Sequence, residues 1–156
     1  MYPLILGIDP GQAGAFAFML NGRPGAVELL KDVSPMWLKV NMIEGSTFAV
    51  LERAQAMGPN QGSVSMMTYG TGYGRVIGWL EALSIPFALV PPKIWQKQLH
   101  TGCKSDDPKV RTLQAVEHLF PGLNLRATER SKKPHLGIVD AVAIAHYGVL
   151  TYGRNK

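Results

Sequence analysis

The chain has 156 residues, 16 of them Lys or Arg against 11 Asp or Glu, a net charge of +5, with 46% apolar residues. This describes one globular domain with an anionic partner and excludes two domains or a disordered chain. The single cysteine, Cys103, excludes a disulfide framework and a cysteine-based zinc site.

No basic leader precedes the first apolar residues, and the longest uncharged run, 54–74, is too rich in Gly, Asn, Gln, Ser and Thr to span a membrane. The composition predicts a soluble, intracellular chain. Residues 3–9 form a short apolar run ending in an acid, Asp9, which reads as a buried central strand. After the Pro10-Gly11 turn, Ala15–Leu20 is a second strand. Asn21-Gly22 is a hairpin signal, and 26–30 pairs back as a third. Ser34-Pro35 opens a helix to about residue 44. Residues 47–51 form a fourth strand running into Glu52.

Residues 53–71 are polar, Gly-rich and nearly uncharged, and the pattern predicts a long functional loop there. A helix is predicted from about Gly74, with Val76, Ile77, Leu80 and Leu83 at helical spacing. Residues 86–90 form a fifth strand, 93–99 a short helix, 107–120 a longer one, 123–133 a basic connector and 137–150 a last helix. Ala141, Ala143 and Ala145 would let that helix pack closely on a sheet. The order β-β-β-α-β-α-β-α-α predicts an α/β fold, a mixed five-stranded sheet flanked by helices.

Three acids stand apart. Asp9 and Glu52 end strands one and four, and Asp140 falls in the first turn of the last helix. Each alone has an ordinary explanation: a turn residue, a solvated strand end, a partner for the helix dipole. If strands one and four are parallel neighbours, however, all three meet at the carboxyl edge of the sheet, where open α/β sheets place their sites. Converging carboxylates suit Mg²⁺ or Mn²⁺.

Ile8-Asp9-Pro10-Gly11 with Gly14, then Leu51-Glu52, then the run from Gly137 through Asp140 to Ala145, resemble in order and spacing the motifs of RuvC-type Holliday-junction resolvases. The middle, from Gly70-Thr71-Gly72-Tyr73-Gly74 through Pro91-Pro92-Lys93-Ile94-Trp95, and the stretch 104–121 ending in Phe120-Pro121, resemble the phage and chloroplast branch. The resemblance covers nearly the whole chain as a single nuclease domain over 1–156. It implies a ribonuclease H-like fold and metal-dependent cutting of four-way DNA junctions by paired symmetric nicks. It also implies a homodimer using the predicted 74–83 helix, and a cytoplasmic setting in a bacterial or phage-infected cell. By the same resemblance Asp9, Glu52 and Asp140 hold two Mg²⁺ or Mn²⁺ ions, and a lysine stabilises phosphate charge. Lys104 is the first candidate, with Lys97 and Lys109 also open.

One departure is Gly137, where the family commonly carries an acid or a histidine. The nearest substitute is His135, a metal ligand or an acid/base, or else a surface residue. Residues 93–133 carry nine basic and four acidic side chains, and they alone match the whole surplus of five. Within them Lys93, Lys97, Lys104, Lys109, Arg111, Arg126, Arg130, Lys132 and Lys133, joined by Arg53, form a candidate DNA grip. In the 53–71 segment Met57, Met66, Met67 and Tyr69 either contact unstacked bases or fold down onto the domain. Tyr73, Trp79 and Trp95 read as core or dimer aromatics. His100 and His118 fit solvated helix positions, and His146 fits a packed one.

Other readings are nucleases for flaps or forks and a non-catalytic DNA-binding module. An actin-like ATPase, whose phosphate loop resembles residues 7–11, needs two such domains and does not fit this length.

Overall fold

The computed structural model describes residues 2–55 and 62–153. Five strands, β1 (Leu4–Asp9), β2 (Ala15–Leu20), β3 (Arg23–Leu29), β4 (Thr47–Glu52) and β5 (Phe87–Val90), form one sheet in the order β3-β2-β1-β4-β5. β1, β2 and β3 are antiparallel neighbours, whereas β1, β4 and β5 run parallel. Asn21 and Gly22 have φ of 49° and 78°, the left-handed pair that a tight hairpin requires. β3 starts at Arg23, ahead of the predicted residue 26, because Pro24 sits on the edge strand, where its missing N–H costs no ladder bond.

Helix α1 (Pro35–Asn41) opens where Ser34 predicts, its Oγ accepting from the Trp37 N–H at 3.1 Å, and ends before residue 44. The largest departure is α2 (Ser63–Ala82), a 20-residue helix where a loop to residue 71 was expected. Its first half buries no side chain fully: Val64, Met66 and Met67 are exposed, Tyr69 is half-buried, and only Val76 and Leu80 further on are buried. With no buried stripe there, the amphipathic signal is missing. Met57 lies outside the described residues. Three helices follow β5 where the pattern predicts them: α3 (Pro92–Leu99), α4 (Pro108–Leu119) and α5 (Leu136–Tyr152).

Side chains alternate between two cores, as strand periodicity demands. Ile5, Val50 and Val90 face α3, α4 and α5, while Leu6, Ile8 and Leu51 face α1 and α2. α5 lies directly on the strand backbones. A Cβ on Gly7 would come within 2.7 Å of Ala145 Cα, and one on Gly148 within 2.8 Å of a Val50 methyl. Among the described residues no helix is long and apolar enough to cross a membrane.

Candidate active site

The site follows from strand register. Ile8 pairs with Leu51 across the parallel β1–β4 ladder, so Asp9 and Glu52, one residue further, leave the sheet side by side. Asp9 shares the side of Ile5, and Glu52 that of Val50, so both acids face α5. α5 runs antiparallel to β1, with Ala141 and Ala145 over Gly7 and Gly148 over Ile5 and Val50. Its N-terminal end therefore meets the carboxyl edge of the sheet. There Asp140 is the one polar residue in the apolar run 137–145. It lies in the second turn of α5 rather than the first, where the helix dipole would no longer explain it.

The three carboxylates disfavour one another's charge. Burial raises the Asp9 pKa, against the Gly11 N–H, which donates to Oδ1 at 3.0 Å, and against the charges of His135 and Lys109. Burial and then Asp9 push Glu52 up to about 7, although the Trp95 Nε1–H donates to its Oε2 at 2.9 Å. Burial, Asp9 and Glu52 push Asp140 to about 7, opposed by Lys109. Burial, then Glu52 and Asp9, also raise the Tyr69 hydroxyl, so α2 brings that ring to the same edge.

His135 caps α5: its Nδ1 accepts a long bond of 3.4 Å from the Ile138 N–H, and its backbone N–H donates to the Leu125 carbonyl at 2.7 Å. The glycine at 137 has a steric reason, since a Cβ there would lie 3.1 Å from Gly14 Cα and closer still to the Ala13 carbonyl. An acid has no room at that position.

Among the described residues no three His, Cys, Asp or Glu side chains stand close enough to hold a metal ion as they are placed. The donor chemistry nevertheless fits a hard divalent cation. Three half-buried carboxylates with raised or mutually raised pKa values lack the counter-charge such an ion supplies.

Of the three lysines, Lys109 at the start of α4 is the one whose charge acts on Asp9 and Asp140. Lys104 instead lines a cavity with Leu99 and Tyr147. Lys93 and Lys97 are exposed one turn apart on α3, and Arg53, Arg126, Arg130, Lys132 and Lys133 are exposed elsewhere. Arg111 is half-buried beside His100, lowering its pKa after burial has done so. His100 is held by Thr112 at 2.7 Å, His118 is exposed, and His146 packs edge-on against Phe120. Composition and spacing did not mark Trp95 as part of the site. A tryptophan whose helix follows the strand beside β4 is the only available signal.

The mixed sheet, with acids at the carboxyl ends of β1 and β4 and a long helix laid across β1, is a ribonuclease H-like architecture. No family model matches the chain, and no curated protein matches it by sequence. Solved structures do match in fold. RuvC of Thermus thermophilus in complex with a Holliday junction substrate is 15% identical, with 96% of this chain and 94% of that chain covered and a TM-score of 0.63. A second Thermus thermophilus RuvC structure is 17% identical, over 96% and 95% of the two chains, with a TM-score of 0.56. The chain has the fold of RuvC.

Proposed function

We propose that this chain is a RuvC-type endonuclease, a single domain over residues 1–156 that resolves four-way DNA junctions by paired symmetric nicks. The observation that carries this reading is the convergence of Asp9, Glu52 and Asp140 at one sheet edge of a RuvC-like fold. Those acids, with His135, would hold Mg²⁺ or Mn²⁺, two ions per site. When bound, the ions activate water and stabilise the leaving 3′-oxygen of a phosphodiester.

The side chains divide the remaining work. The Gly11 amide fixes Asp9 and the Trp95 indole fixes one oxygen of Glu52. Lys109, already acting on Asp9 and Asp140, meets the phosphate charge that develops there. Arg53, Lys93, Lys97, Lys104, Arg111, Arg130, Lys132 and Lys133 hold the DNA backbone, which makes binding salt-sensitive. A four-way junction is nearly two-fold symmetric, so paired nicks need two sites and a C₂ homodimer supplies them. The long, little-buried α2 suits that contact. Such an enzyme works in the cytoplasm of a bacterial or phage-infected cell.

The test is incubation with synthetic four-way, three-way, flap and linear DNA in Mg²⁺ or EDTA, beside Asp9→Asn. Symmetric nicks near the branch point are expected, dependent on metal and lost in Asp9→Asn. Equal cutting of linear duplex would overturn the junction assignment.

A further inference from the structure

Helices α3, α4 and α5 and the segment 101–104 line a half-open pocket of about 620 Å³. This volume is in the range of small-molecule sites, roughly 300–1,000 Å³. Its walls are apolar and aromatic: Trp95, Leu99, Leu119, Tyr147 and Leu150. Among the described residues Lys104 is the one Lys or Arg in the lining, and no acid lines it. His146 also lines it, with a buried Nδ1 that has no partner among the described residues, its ring fixed edge-on to Phe120 at 5.5 Å between centroids.

We propose that this cavity binds a small aromatic anion, its ring among Trp95, Leu99 and Tyr147 and its charge toward Lys104. The absence of acids among the described lining residues admits negative charge there. The pocket shares Trp95 with the carboxylate edge and Lys104 with the proposed DNA grip, but dye binding reads it without any nuclease assay.

Cys103, the only cysteine in the chain, lines the same cavity and is half-buried, so it reports occupancy. The probe is 1-anilinonaphthalene-8-sulfonate, compared with the uncharged N-phenyl-1-naphthylamine and titrated onto the full chain. Fluorescence should saturate at one probe per chain. The bound probe should slow reaction of Cys103 with a thiol reagent by about tenfold or more. Lys104→Gln should weaken the sulfonate by about tenfold and leave the uncharged dye unchanged. Leu150→Trp, at a rim position that is 47% exposed, should block both dyes. Leu119→Trp, 40% exposed, replaces it should that variant misfold by circular dichroism. Non-saturating fluorescence, an unprotected Cys103, or binding untouched by the rim variant overturns the site. Equal binding of both dyes, unaffected by Lys104→Gln, overturns the anionic ligand.

Discussion

The indole Nε1–H of Trp95 donates to Oε2 of Glu52 at 2.9 Å, joining a core side chain 1% exposed to a carboxylate at the sheet edge. The bond favours the charged form of Glu52 against the burial and the Asp9 charge that disfavour it. Trp95→Phe keeps an aromatic ring there and removes the donor. Nicking rate measured against Mg²⁺ concentration should fall about tenfold at low metal, the scale of one hydrogen bond to a charged group, and shift to higher Mg²⁺. An unchanged Mg²⁺ profile would show the bond to be structural only.

Stability should fall with rising pH when no divalent ion is present. Glu52 and Asp140 are pushed up to about 7 in the folded chain, against ordinary values of 4.5 and 3.8, so the folded state holds protons that the unfolded chain has released between those limits. A state that keeps more protons is stabilised below that window and loses the advantage as pH rises through it. Asp140→Asn removes one titration and should raise the melting temperature at about pH 8, by about 2 kcal/mol or ~4–8 °C, with little effect near pH 4. Equal melting curves at both pH values would contradict the coupling.

His135 has two separable jobs. Its Nδ1 caps α5, and its charge acts on Asp9. His135→Asn retains a capping side chain, so thermal stability should change by less than about 0.5 kcal/mol. Loss of the ring should lower the Mg²⁺-supported nicking rate by about tenfold or more, the usual scale of a metal ligand or an acid/base. A variant nicking at the parent rate would leave His135 with the cap alone.

The proposed dimer has a specific seam. Gly70, Gly74 and Gly78 recur once per turn of α2, and a Cβ at any of them would meet nothing within 4 Å. Each exposed helical glycine costs about 1 kcal/mol relative to alanine. A close helix–helix approach would offset that cost. Sedimentation should give a dimer for the parent and a monomer for Gly74→Leu, with helicity retained and paired nicks reduced to single ones. A Gly74→Leu chain that remains dimeric would move the contact elsewhere.

The carboxylate edge was legible because strand position is a strong signal. An apolar run ending in Asp9 and another ending in Glu52 need only parallel pairing to converge, and the β1–β4 ladder provides it. Ala141, Ala143 and Ala145 likewise announced the close packing of α5, and all three are fully buried. The first half of α2 was illegible for the opposite reason, since a segment with no fully buried residue carries no periodic stripe. Tyr69 and Trp95 reach the acids only through tertiary packing, which spacing along the chain does not record.

The contact between Gly7 and the α5 backbone also constrains synthesis. β1 spans Leu4–Asp9, and its covering helix, made well over a hundred residues later, spans Leu136–Tyr152. Until that helix has left the ribosome, one side of the nascent sheet is bare and Asp9 has no Asp140 beside it. A partly made chain can bind the template-like edge of another before it can assemble the three acids, so self-association competes with folding throughout translation. The three acids therefore come together only after the chain through α5 has been made.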